Sequence, residues 1–119
     1  MSLAITSRIV SGVVIVDLSG RLCFLEVALR KQINELLDEG HRNFVLNLVD
    51  VPYIDSFGLG QLITILASIR SKGGHLILLR PTDHVQQLFQ ITRLDSVFEI
   101  AGEETLAVRS ARLSLAVPA

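Results

Sequence analysis

A chain of 119 residues with 50% hydrophobic and 19% charged residues is long enough to fold as one domain whose core needs no disulfide or metal to hold it. Its formal net charge of −1, with acids and bases scattered rather than in blocks, gives no electrostatic hold on nucleic acid or an anionic membrane. The single Cys23 excludes an internal disulfide, and with His41, His75 and His84 far apart in sequence it makes no zinc set, so a reducing, cytoplasmic setting and no cofactor are expected.

Two β-favouring runs come first, residues 3–10 and 13–18, separated by Ser11-Gly12, a pair suited to closing a hairpin. After Gly20 the spacing changes: Leu25, Leu29, Ile33, Leu36 and Leu37 recur at helical intervals with charged residues opposite, and Gly40 supplies a stop. Residues 44–49 form an apolar run too short for a helix, suited to a central strand. From Ser56 to Lys72 the helical spacing returns and Gly73-Gly74 ends it. Residues 75–79 read as a second buried strand, and Thr82 as the cap of a helix that turns Val85, Leu88 and Phe89 inward. A short strand over 97–100 and a closing helix from Glu103 to about Arg112, with Arg109 and Arg112 in its last turn, complete the order. Strands alternating with helices after a hairpin predict a single α/β domain over residues 1–112, built on a mixed sheet, and a C-terminal tail over 113–119. No run reaches the roughly 18 apolar residues of a membrane span, and the N-terminus lacks a signal-peptide layout. The aliphatic surplus leaves apolar surface for a partner or for a second copy, a homodimer.

The stretch Tyr53-Ile54-Asp55-Ser56-Phe57-Gly58-Leu59-Gly60 joins the central strand to a helix, and loops at the C-terminal ends of strands in such sheets are where partners and ligands meet the fold. Three uses of the Ser56 hydroxyl stay open. Asp55 or Ser56 can cap the helix by accepting from one of its unpaired N–H groups. Ser56 can act as a nucleophile, although no histidine lies near it in sequence and the stretch is not a Gly-x-Ser-x-Gly elbow. It can instead accept a phosphate, a charge that the positive end of the helix tolerates. Gly58-Leu59-Gly60 resembles half of a dinucleotide loop, but Ile63 stands where the third glycine belongs.

At about 100° per residue, Leu59, Leu62, Ile63, Leu66 and Ile69 gather on one side of this helix, the side expected against the sheet. Phe57, Gln61, Thr64, Ile65, Ser68 and Lys72 gather on the other. That second face is poor in charge and leads with an aromatic ring, so Asp55, Ser56, Phe57, Gly58, Gln61, Thr64 and Ile65 are the expected partner-binding residues. A phosphate at Ser56, with a charge of about −1.5 to −2, stands at the head of that face. Burying it without a matching cation costs on the order of 3 to 5 kcal/mol, a hundredfold or more in affinity.

The motif Val51-Pro52-Tyr53-Ile54-Asp55-Ser56-Phe57-Gly58-Leu59-Gly60, with Leu18-Ser19-Gly20-Arg21-Leu22, the strand Phe44-Val45-Leu46-Asn47-Leu48, and the later Gly73-Gly74, Val85, Leu88-Phe89, Thr92, Leu94 and Phe98-Glu99-Ile100, resembles the STAS domains of the bacterial anti-sigma factor antagonist (anti-anti-sigma factor) family over nearly the whole chain. The resemblance implies a sheet of four or five strands flanked by helices, with Ser56 as the phosphoacceptor. It implies an anti-sigma factor with serine kinase activity as partner, bound by the unphosphorylated form so that a sigma factor is freed, and a serine phosphatase that resets the cycle. The chain itself is then no enzyme, and ATP belongs to the kinase. Two positions depart from the family pattern: Cys23 stands where an acid is common, and Phe57 where a second Ser or Thr is common. Cys23 is expected to be a half-buried thiol. STAS domains also serve as non-switching parts of phospholipid-transport ABC systems or of larger sensory complexes, and that alternative predicts indifference to charge at Ser56.

Overall fold

The computed structural model describes residues 3–22 and 27–116, with side chains to residue 112. The expectations for Cys23 and Leu25 lie outside the described residues. The chain opens with strands β1 (Ala4–Val10) and β2 (Val13–Ser19), closed as a hairpin through Ser11 at φ 53° and Gly12 at φ 82°. Two consecutive left-handed residues make the two-residue turn whose twist matches that of the strands it joins.

Four helices and three further strands follow: α1 (Ala28–Asp38), β3 (Asn43–Asp50), α2 (Ser56–Ser71), β4 (His75–Leu79), α3 (Asp83–Ile91), β5 (Glu99–Ala101) and α4 (Glu104–Ala116). The five strands lie in the order β1-β2-β3-β4-β5, with β1 antiparallel to β2 and every later pair parallel.

This topology dictates where the helices go. From β2 onward each new strand is added on the same side, and right-handed crossovers then place α1, α2 and α3 on one face of the sheet. Their residues Leu29, Ile33, Leu62, Leu66, Val85 and Phe89 pack with Val14, Val16, Phe44, Leu46, Leu76 and Leu78 of the strands. The opposite face, Val13, Ile15, Val45, Ile77 and Leu79, is covered by Ala107, Val108 and Ala111 of α4. Strands buried on both faces need continuous rather than alternating hydrophobicity, which is why β2, β3 and β4 read as unbroken apolar runs.

Arg8 fastens α4 to the edge hairpin. Its Nε donates to Asp17 Oδ2 at 2.8 Å, its Nη1 donates to Glu104 Oε2 at 3.0 Å, and Asn47 Nδ2 donates to Asp17 Oδ1 at 2.8 Å. Arg8 holds the Asp17 and Glu104 carboxyls below their usual range through these hydrogen bonds.

Two expected boundaries are corrected. The last strand is Glu99–Ala101 rather than 97–100, because a 3₁₀ turn over Leu94–Ser96 turns Phe98 inward to stack on Phe89 at 5.6 Å. Helix α4 runs on to Ala116, so Arg109 and Arg112 lie within it rather than in its last turn, and residues 113–116 of the expected tail continue the helix.

Candidate functional site

Parallel strands end on the same side of the sheet, so the loops leaving β2, β3 and β4 converge. The first two are laced together by main chain. Gly20 N–H donates to Asp50 O at 3.0 Å, Leu22 N–H to Tyr53 O at 3.1 Å, and Asp55 N–H to Leu22 O at 3.3 Å, forming a parallel bridge between Leu22 and Ile54. From the β4 side, Thr82 Oγ1 donates to Val51 O at 3.3 Å, while the same hydroxyl caps α3 by accepting from Val85 N–H.

Gly58 lets these segments approach. A Cβ built there would lie 2.1 Å from the Leu22 carbonyl oxygen and 2.8 Å from its carbon, distances no side chain tolerates. The position therefore requires glycine because backbone lies against backbone, although its φ is that of an ordinary helix.

Of the three uses left open for Ser56, the cap is settled in favour of its neighbour. Asp55 is the N-cap of α2, and its Oδ1 accepts from Gly58 N–H at 2.7 Å. Ser56 is the first helical residue; it is exposed, and its hydroxyl makes no hydrogen bond among the described residues. Two of the three histidines are engaged elsewhere: His75 pairs with Glu99 at 2.9 Å, and His84 stacks on Tyr53 at 5.8 Å between ring centroids.

The face of α2 differs from the expected one by a rotation. Ile65 is 1% exposed and Gln61 8%, both inside, whereas Ile63, expected against the sheet, is 41% exposed. Gly58 is also buried. The reason is that α2 packs on two sides, against the sheet and against α1, so its buried arc is wider than one stripe. Ile65 belongs to the same core as Leu29, Ile33 and Leu37 of α1.

What remains outside is Ser56, Phe57, Gly60, Ile63, Thr64 and Ala67, a stripe without charge until Arg70. Phe57 is 63% exposed, and it lines a shallow groove with Gly60, Gln61, Thr64 and Arg30 of α1. Thr64 turns its hydroxyl back to Gly60 O at 3.0 Å, which leaves its methyl group as the outward chemistry. The structure thus exposes Ser56, Phe57 and Thr64 of the expected set, leaves Asp55 half-buried, buries Gly58 and Ile65, and leaves Gln61 only a buried edge of the groove.

Sequence reasoning passed over one group beside the motif. The Arg21 guanidinium carbon lies 5.0 Å from the Tyr53 ring centroid, and Tyr53 stacks on His84 with an interplanar angle of 20°. Arg21 and Tyr53 come from the loops that follow β2 and β3, and His84 from the first turn of α3.

Comparison with known proteins places these features in context. A family model described as STAS domain matches residues 4–107. A relative from Thermotoga neapolitana named as an anti-sigma factor antagonist is 40% identical over 67 residues, 56% of this chain and 59% of the relative; the match spans about three fifths of that protein's length. The crystal structure of an anti-sigma factor antagonist from Thermotoga maritima superposes with a TM-score of 0.82 at 34% identity, covering 91% of this chain and 94% of the other. The Bacillus cell fate determinant SpoIIAA in its phosphorylated form shares the fold, with a TM-score of 0.70 at 24% identity over 90% of this chain and 99% of its own.

Proposed function

Because this chain belongs to the STAS domain family, we propose that it acts as an anti-sigma factor antagonist switched by phosphorylation of Ser56. The unphosphorylated protein binds an anti-sigma factor that is itself a serine kinase, and a sigma factor is thereby released in the cytoplasm. Phosphorylation by that kinase ends the association, and a serine phosphatase restores it.

One observation carries the reading: Asp55 rather than Ser56 caps α2, so the exposed hydroxyl at the head of the uncharged stripe has no structural duty. Charge added there is compatible with the fold, because a helix N-terminus accommodates anions. It is incompatible with seating the Phe57, Gly60 and Ile63 surface against a partner, because the charge must first lose its water. The docking surface comprises Ser56, Phe57, Gly60, Ile63 and Thr64, with the Asp55 cap holding the first turn in place.

The test uses the anti-sigma factor kinases encoded in the source genome, purified and incubated singly with the protein and ATP. The expected product carries one phosphate, mapped by mass spectrometry to Ser56, and Ser56→Ala carries none. A protein that binds its partner equally well as wild type and as Ser56→Asp is a constitutive STAS subunit, and the switch reading fails.

A further inference from the structure

Among the described arginines, most that are anchored donate to oxygen. Arg8 binds Asp17 and Glu104, Arg42 binds the Leu37 and His41 carbonyls, and Arg80 Nε donates to Gly102 O. Arg21 differs. It is exposed and its guanidinium lies over the Tyr53 ring, yet no described carboxylate forms an ion pair with it.

Tyr53 is itself held. Its carbonyl accepts from Leu22 N–H, its ring stacks on His84, and the following Ile54 is buried in the core. A guanidinium lying over a fixed ring has lost part of its rotamer freedom, and here its planar fork of N–H donors has no hydrogen-bond partner among the described residues. Such a fork matches a carboxylate in two parallel hydrogen bonds, and the ordering that usually offsets such a contact is already in place. Arg21 is also next in chain to Leu22, whose backbone bridges the Ile54-Asp55 segment, so the main chain carrying the fork is fastened to the segment that leads into Ser56.

We propose that Arg21, positioned by Tyr53 and His84, is a specificity contact of this surface that takes a carboxylate from the protein partner beside the Ser56 switch. The partner then presents an acidic side chain next to the apolar site that receives Phe57 and Ile63. This inference rests on the switch reading and adds the chemistry of the partner. Among the described residues no acid satisfies the fork: Asp55 is turned to its own helix at Gly58 N–H, and none of the ion pairs involves Arg21.

The experiment titrates the kinase that phosphorylates Ser56 with the unphosphorylated full chain, with and without nucleotide, over a series of salt concentrations. Arg21→Gln is expected to weaken binding about tenfold to a hundredfold and to flatten the salt dependence, with the melting temperature unchanged. Arg21→Lys recovers only part of the loss, because an ammonium lacks the fork, and Tyr53→Leu gives an intermediate loss with the cation still present. Binding within twofold of wild type for Arg21→Gln overturns the inference and leaves the switch standing. A loss seen only when nucleotide is bound overturns it as well, since the fork then reads a phosphate. If none of the kinases binds the wild-type chain, the switch reading fails and takes the inference with it.

Discussion

The Asp55 carboxylate accepts from the Gly58 amide at 2.7 Å, and this contact separates two roles that adjacent residues of similar chemistry could have shared. Asp55→Ala removes the cap and is expected to cost about 1 kcal/mol in unfolding free energy. Ser56→Ala, lacking any such contact, stays within about 0.5 kcal/mol of wild type. Chemical denaturation of the two variants checks the assignment, and equal losses would return the cap to Ser56.

The two glycines of the motif are expected to respond oppositely to alanine. At Gly60 an added Cβ meets nothing within 4 Å, so Gly60→Ala stabilises the helix by roughly 0.5 to 1 kcal/mol while adding bulk to the docking stripe. At Gly58 the same methyl meets the Leu22 carbonyl at 2.1 Å, and the helical gain is outweighed by separation of the two loops. Hydrogen exchange at the Leu22 and Asp55 amides should accelerate in Gly58→Ala and stay unchanged in Gly60→Ala.

Two isoleucines two positions apart on α2 are expected to report opposite roles. Ile65→Ala empties a site that is 1% exposed and should cost about 2 to 5 kcal/mol. Ile63→Ala acts at the surface, changing stability by no more than about 0.5 kcal/mol and weakening partner binding. Unfolding midpoints and partner affinities measured on both variants decide which face of the helix does the docking.

Acid should loosen α4 through Arg8. Asp17 and Glu104 are held below their ordinary values of 3.8 and 4.5, so their contribution to stability is present above those values and is lost as pH falls through the lower folded-state values. Both carboxylates are partly exposed, so solvent screening keeps the effect modest. Removing the guanidinium as Arg8→Gln should flatten the pH dependence of stability below about pH 4.5 and leave the profile between pH 6 and pH 8 parallel to wild type, as followed by thermal unfolding across a pH series.

The order of strands and helices was legible because each β run is short and bounded by Gly or Pro and each helix repeats at its own period. The Ser56 motif was legible as a strand-to-helix corner for the same reason. The orientation of α2 was not, since the burial of Gln61 and Ile65 is decided by α1 lying alongside, a fact outside the period of α2 itself. The cap was ambiguous because Asp and Ser are both good N-caps and only the backbone at Asp55, extended at φ −92° and ψ 179°, distinguishes them. The last strand begins two residues later than its apolar run suggests, because Phe98 carries the apolar character of a strand while serving the core from a turn. The Arg21, Tyr53 and His84 group comes from two loops and the first turn of α3, brought together by parallel strand ends, and no spacing within one segment encodes it.

The most direct measurement installs phosphoserine at position 56 by genetic encoding and compares that protein with the unmodified chain in melting temperature and in affinity for the anti-sigma factor kinase. The switch predicts a melting temperature within about 4 °C and an affinity lower by a hundredfold or more. Undiminished affinity, or a fold that melts on phosphorylation, would contradict it.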